Sequence, residues 1–547
     1  MKYQLHIIKR ALALVVIIST TISCSELLDL TPPMTQVTEN FYLTETDAFQ
    51  SLTSAYNVLT WSAPSIAGGS PQNCAFEIIS EILGDCCYGG GANANDIPST
   101  VRISQFSILV TDPAPEALWR KYYTGIYRCN QFLIKIPDIP FENEELRNRY
   151  IAEAHFLRAY YYFDLVRLFE NVPLILTPLT PADYAQVQVS PITVYEQIAK
   201  DLLYAIETSD ESGIPVLPKN ATMIPATDKG RVSLAAAQAL LARVWLFYTG
   251  YYGETEMPLV SQSKILGIIR DAVNSGHALL PDAYAKNNGV AQLFDVTNKN
   301  STEGVFEIQY SALSKWGDWS NRQGCMGNQA VILWGIRDVG APYAAGWSFA
   351  PVNKKLFDAF RTDDPRRWAT IINAEKSTIA GDDGEGLTYT KGYQNTGYFC
   401  RKHTPLTRNN AGAGSRELNY PNNYQCIRFA DVLLMAAELE LLYGEKNMAF
   451  EHYRNVRERA LGTGNAGTVT DLTINKIYEE RLYELALEGH RYWDILRQGQ
   501  AIAAQILTNG EQGEYAVTFN TVRKGLLPIP QYEIIQSKAS LKQNPGY

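Results

Sequence analysis

Apolar residues recur at helical spacing through most of this chain. Ala154, Leu157, Tyr161, Leu165 and Leu168 fall at steps of 3, 4, 4 and 3, and Tyr478, Leu482, Leu485, Gly489, Tyr492 and Leu496 alternate steps of 4 and 3. Each set draws one apolar stripe on an α-helix. The same period predicts helices over Asp47–Leu59, Leu118–Ile136, Glu145–Phe169, Ile192–Thr208, Ser233–Thr249 and Ser263–Leu279. It returns over Arg428–Tyr443, Ala449–Leu461 and Ile474–Arg497. The third helix should stop at Asn171-Val172-Pro173, because the residue before a proline is pushed out of the helical region. From about Tyr284 to Tyr424 the period fails and Gly, Asn, Pro and Trp accumulate; within it Val305, Phe306, Ile308 and Tyr310 suit a short strand. The pattern is mainly α, with a loop-rich excursion between helical pairs. Small residues such as Ala235, Ala236, Ala239 and Ala242 suit a tetratricopeptide-like stack, although no strict repeat of about 34 residues occurs.

The N-terminus changes the picture. Lys2, Lys9 and Arg10 precede the apolar stretch Ala11–Ile22, which is shorter than the roughly 20 residues of a spanning helix and reads as a secretory signal. It ends on Thr21-Ile22-Ser23-Cys24, which resembles a lipobox with Thr in place of the usual Leu; an ordinary signal peptide with a chance cysteine is the plainer alternative. Residues 1–23 are thus expected to be removed, Cys24 to carry lipid, residues 24–46 to form a tether that Pro32-Pro33 keeps out of a helix, and residues 47–547 to form one domain. Cleavage removes 23 residues and three positive charges, leaving 524 residues at a net charge of −12.

Composition then removes several functions. A 46% hydrophobic, 11% aromatic chain can bury a large core, and the net charge of −9 leaves no general basic surface for nucleic acid. After Cys24 seven cysteines remain, an odd number without CxxC, so no disulfide framework is expected; Cys86-Cys87 reads as two small residues at a loop, or as one partner for Cys74. Gly462 to Gly467 spells G-x-G-x-x-G but follows a helix instead of a strand, which makes it a helix end. The histidines are dispersed, no metal or cofactor motif occurs, and Asp382-Asp383-Gly384-Glu385 lacks the EF-hand spacing and reads as a solvated turn. Paired carboxylates of a glycoside hydrolase cannot be picked out by spacing, so a secreted hydrolase stays open here.

The constellation above background is aromatic. Trp316, Trp319, Trp334 and Trp347 put four of the nine Trp into 32 residues among Gly, Asn and Ser. Indole faces suit stacking on the C–H face of a sugar, with nearby amides bonding its hydroxyls. Trp334 and Trp347 have apolar neighbours (Ile332, Leu333, Phe349) and are expected to pin the loop to the scaffold, leaving Trp316 and Trp319 as ligand candidates. Trp119, Trp245 and Trp493 lie on helical stripes and are expected in the core.

Several segments resemble the SusD/RagB family of Bacteroidetes outer-membrane lipoproteins. They are Trp119-Arg120-Lys121-Tyr122-Tyr123 with Asn130, Glu153 through Tyr161, Arg243-Val244-Trp245-Leu246, Asp364-Pro365-Arg366-Arg367 and Arg428 through Glu438. Further matches are Glu480-Arg481, Glu488 through Asp494, Leu527-Pro528-Ile529-Pro530 and the closing Gln543 to Tyr547. The resemblance implies a SusD-like α/α superhelix of tetratricopeptide-like helix pairs with variable loops that bind nutrient. It also implies a non-enzymatic protein without cofactor, lipid-anchored in the outer membrane and facing outward. Its partners would be an oligosaccharide, or in some members a peptide, and a SusC-like TonB-dependent β-barrel transporter. By location it adds the loop after the first helix to the candidate site, with Trp61, Tyr88, Asn93, Asn95 and Asp96 beside Trp316 and Trp319. Charged residues in the matched helices, among them Arg158, Asp164, Arg167, Asp431, Glu438, Arg481 and Glu488, are expected to be structural ion pairs and not catalytic acids.

Overall fold

The computed structural model describes residues 41–62, 75–314, 317, 325–376, 383–410, 414–508, 515 and 517–547. The signal segment, Cys24, most of the tether, Cys74, Asp382, Trp316 and Trp319 lie outside them.

Among the described residues nine long helices carry the scaffold. They are α1 (Glu45–Asn57), α2 (Pro113–Lys135), α3 (Glu144–Phe169), α4 (Pro191–Glu207), α5 (Leu234–Tyr252), α6 (Gln262–Val273), α7 (Phe429–Tyr443), α8 (Lys446–Leu461) and α9 (Ile474–Leu485). Local chemistry sets their ends. Thr44 and Asp47 form a reciprocal capping box at the start of α1, Pro113 occupies the first turn of α2, and Ser233 caps α5 by accepting the Ala236 N–H. Gly462 ends α8 with φ of 83°, so the glycine-rich stretch is the helix end its position suggested. Successive helices pack on one another from α2 through α6. The run crosses the excursion by packing α6 on α7, and α7 then packs on α8 and α9. The architecture is the tetratricopeptide-like helical fold expected from the pattern. Trp119, Trp245 and Trp493 are buried, as their stripes require.

Two departures from the pattern have physical causes. The predicted helix Ile474–Arg497 is broken: α9 stops at Leu485 and a short helix restarts at Arg491, because Leu487 and Gly489 adopt φ of 66° and 84°. The Gly489 N–H donates instead to the buried Glu81 carboxylate at 2.8 Å. The loop after α1 also holds two short helices, Phe76–Leu83 and Pro98–Ser104, the first with all eight residues buried, Glu77, Ser80 and Glu81 included.

The excursion contains β1 (Gly304–Ile308), which covers the expected strand except for its Tyr310 end and pairs antiparallel with β4 (Tyr424–Arg428), and the short pair β2 (Ile371–Asn373) and β3 (Tyr398–Cys400). A small second core, including Val290, Ile336, Tyr343, Ile372, Phe399 and Leu406, lies beneath it. A buried charge box fastens the excursion to the C-terminal helices. Glu484 accepts from Arg428, Arg459, Arg366 and the Tyr284 hydroxyl; Glu488 accepts from Lys402 and Arg428; Glu480 from Arg366 and Arg457; Glu303 from Arg428 and Arg459. With the Asp364–Arg366 pair, five carboxylates face five cations. Arg158 pairs with Asp201, Arg167 with Asp164, Arg481 with Asp431 and Asp494, and Arg497 with Glu438. The charged helix residues are thus consumed in structural pairs, which leaves the loops to carry function.

Candidate functional site

The loop after the helix Phe76–Leu83 is rooted by Asp85. Burial would raise its pKa, but the Arg491 fork (2.7 and 3.1 Å) and Lys355 (2.8 Å) prevail and hold its carboxyl well below the usual range. Beyond this root the chain runs main chain to main chain against residues 348–353. The Asn353 N–H donates to Cys86 O at 2.7 Å, Tyr88 N–H to Pro351 O at 3.0 Å, Ala350 N–H to Gly89 O at 3.1 Å and Gly91 N–H to Ser348 O at 2.8 Å. On the other side Tyr393 N–H donates to Gly91 O at 2.8 Å and the Gln394 side chain accepts from Gly90 N–H at 3.0 Å. This closeness depends on glycine. Gly90 has φ of 72° and a Cβ there would sit 2.4 Å from Ser348 O; a Cβ on Gly392 would sit 2.4 Å from Gly91 O.

The loop tip closes on itself. Asp96 accepts the Ala92 N–H at 2.8 Å, Asn93 Oδ1 accepts the Asn95 N–H at 2.9 Å, and both asparagines are exposed. Arg337 donates to Trp347 O at 2.9 Å and reaches Asp96 at 3.5 Å, so the residue 337–348 hairpin and the loop tip share one cation. Trp347 and Tyr393 are half-buried here. Tyr88 is buried, its ring edge on Tyr515 at 5.4 Å, and Tyr515 lies 6.0 Å from Tyr393. One region therefore offers an indole, phenol rings and two exposed amides, with Asp96 and Arg337 compensating each other. That combination suits a neutral polyhydroxylated ligand and lacks the unpaired charge an ionic one would need.

The structure thus brings Tyr88, Asn93, Asn95 and Asp96 together, with Tyr88 as a supporting ring instead of a surface one. Trp61 stands elsewhere. It follows α1, donates Nε1–H to Asn57 Oδ1 at 3.3 Å and lies under the Arg128 guanidinium at 5.4 Å. Trp334 is buried at 1% exposure, as a pin should be. Trp347 packs against the main core as well, as a pin should, but is only half-buried: Ser348 after it has φ of 56°, which turns the chain before Phe349 enters the core. Nothing in the residue types announces that turn. Tyr393 and Arg337 were missed as well, since neither lies in a motif and both reach the site through the folding of the excursion.

The remaining candidate chemistry is accounted for within the scaffold. Cys86 and Cys87 are buried free thiols whose pKa values burial raises well above the ordinary value, so neither is a poised nucleophile. Asp383 and Glu385 accept from Arg367 and Arg401, and no group of three metal-binding side chains occurs among the described residues. Among those residues no helix is long and apolar enough to cross a membrane.

Comparison with known proteins agrees with this architecture. The profile of the SusD family matches residues 373–547, and one described as starch-binding, associating with outer membrane, matches residues 92–246. SusD-like protein P2 of Formosa agariphila is 27% identical, spanning 98% of this chain and 100% of its own. A solved laminarin-binding SusD-like protein is 32% identical with a TM-score of 0.76, covering 92% of this chain and 100% of its own. Surface glycan-binding protein A from Bacteroides thetaiotaomicron in complex with laminarihexaose is 27% identical with a TM-score of 0.77, covering 92% and 99%. On its helical fold, its matched segments and these likenesses, the chain belongs to the SusD family.

Proposed function

We propose that this protein is a surface glycan-binding lipoprotein that captures a neutral oligosaccharide of laminarin type at the loop site and passes it to a SusC-like TonB-dependent transporter. The observation that carries the reading is the likeness, over nine-tenths of the chain, to proteins named as binders of laminarin and surface glycans. The loop site supports it, with the exposed Asn93 and Asn95 amides, Asp96 compensated by Arg337, and the half-buried Trp347 joined to the same Arg337 through its main-chain oxygen. In this reading Trp347 and Tyr393 give stacking faces, Asn93, Asn95 and Asp96 bond hydroxyls, Tyr88 backs the ring cluster, and Trp316 and Trp319 add further indoles. Binding, not hydrolysis, is the activity, which fits relatives named as binding proteins. Lipid on Cys24 holds the protein at the outer membrane facing outward, and the family description associating it with that membrane supports the placement.

Calorimetric titration of the mature protein against laminarin, laminarihexaose, starch, other polysaccharides and a peptide digest tests this. Saturable binding to a glycan is expected, with no new reducing ends after overnight incubation. Binding to peptides alone would refute the cargo, and released sugar would refute the non-enzymatic reading. Mild-detergent purification from the native membrane should bring down a β-barrel transporter at comparable stoichiometry.

A further inference from the structure

Helix α1 turns an unburied stripe outward: Phe49, Thr53 and Asn57, one turn apart, are all exposed. The stripe forms one wall of a cleft of about 330 Å³. Its other walls are residues 227–231, the end of β1 with Gln309 and Tyr310, and Met326. That volume lies within the range of small-ligand sites, about 300–1,000 Å³. Among the described residues the cleft shares no lining residue with the loop site, and Trp61 stands beside it through its bond to Asn57.

The lining chemistry selects an occupant. Tyr56, Leu59, Ile308 and Tyr310 give an apolar and aromatic floor. The charged residues balance, Asp228 and Glu307 against Lys229 and Arg231, and each is already engaged. Arg231 donates to Glu153 at 2.9 Å, and Lys229 donates to the Ala221 and Thr222 carbonyls. Asp228 pairs with Arg149 at 3.3 Å, and Glu307 accepts from Asn300 N–H and Asn423. Asp228 and Arg231 are spent in ion pairs, Lys229 and Glu307 are held by neutral groups, and the four sum to zero, so the rim offers an ionic ligand no net charge, while an acyl chain would strand it against hydrocarbon. A sugar ring meets both demands, its C–H face on the aromatic floor and its hydroxyls on the Asn57 amide and the rim.

We propose that this cleft is a second glycosyl-binding site, so that one chain grips a polysaccharide at two separate points. The inference rests on the glycan-binding function proposed above. Its consequence is avidity. A polymer long enough to reach both sites binds the second intramolecularly, at an effective concentration set by the span between them, and gains affinity that an oligosaccharide cannot.

The test uses the mature chain, laminarihexaose and laminarin. Thr53→Trp fills the cleft from an exposed position, Met326→Trp fills it from the opposite wall, and Trp347→Ala removes the indole of the loop site; thermal melts confirm that each folds. Laminarihexaose should bind at two sites per chain in the parent, at one in Thr53→Trp or Met326→Trp, and at no more than one in Trp347→Ala. Laminarin affinity should fall by roughly tenfold or more when the cleft is filled. A single site in the parent, lost in Trp347→Ala and untouched by both filling variants, overturns the second site and leaves the glycan-binding function standing. Absence of binding to any glycan in the parent overturns both.

Discussion

Replacing Glu484 by Gln tests whether the buried charge box holds the excursion on the helices. The carboxylate is 1% exposed and accepts from Arg428 at 2.6 Å, Arg459 at 2.5 Å, Arg366 at 3.3 Å and the Tyr284 hydroxyl. Burial alone would raise its pKa, but Arg459, Arg428 and Arg366 outweigh that and hold it well below the ordinary value, so it is charged at neutral pH. The amide is nearly isosteric and removes one negative charge, leaving four carboxylates facing five cations. Breaking one partner of such a network costs about 3–5 kcal/mol. With an unfolding entropy of about 2.1 cal/mol/K per residue over roughly 500 ordered residues, that is a fall in Tm of about 3–5 °C. Differential scanning calorimetry should show this drop against Glu479→Gln, an exposed control on the same helix. Adding Arg459→Met to Glu484→Gln restores the balance at four against four and should recover at least half of the loss. A Tm for Glu484→Gln within 1 °C of the control, or no recovery in the double variant, would refute the reasoning.

Burial lowers the His403 pKa to about 4, so the folded protein refuses a proton that the unfolded chain accepts below about 6.5. Its contribution is intact above that pH and falls by about 1.4 kcal/mol per pH unit down to about 4, or about 2 kcal/mol at pH 5; His403→Gln should therefore lose less stability than the parent between pH 7.5 and 5, measured by urea unfolding. Trp347→Ala should weaken glycan binding by about 1–3 kcal/mol on the scale of ring stacking, with a smaller fall in Tm than at Trp334 because its indole is only half-buried. Trp334→Ala should instead cost about 3–5 kcal/mol of stability, because that indole is enclosed; the reverse pattern in calorimetry and melting would exchange their roles. Cys24→Ala should release the protein from the membrane into the aqueous phase of a detergent partition, and an intact mass without lipid in the parent would end the lipoprotein assignment.

The scaffold was legible because a helix buried on one face repeats its apolar residues every three or four positions. The Ala154 to Leu168 stripe and the resemblance around Arg428 to Glu438 both point to the observed helices. The break after Leu485 was not legible, since residues 489–496 keep the apolar period while Leu487 and Gly489 turn the backbone out of it. The helix Phe76–Leu83 hid because its eight residues span barely two turns, too few for a repeat of apolar positions to stand out. At the site, residues 93–96 were reached through the family resemblance, by their place in the loop after the first helix. Trp347, Arg337 and Tyr393 join it through contacts more than 240 residues away along the chain, which a local pattern does not encode.

The seam at Gly90 and Gly392 separates two properties that binding loops usually mix. Three stretches of main chain meet there directly, bonded atom to atom, and none of those bonds uses the side chains at 95, 347 or 393. Those three positions can then be varied as a combinatorial library on a fixed frame, as in antibody engineering. Selection on immobilised polysaccharides would yield altered sugar preference with the loop geometry retained, whereas any library that included the two glycines would spend most of its members on chains unable to close the seam.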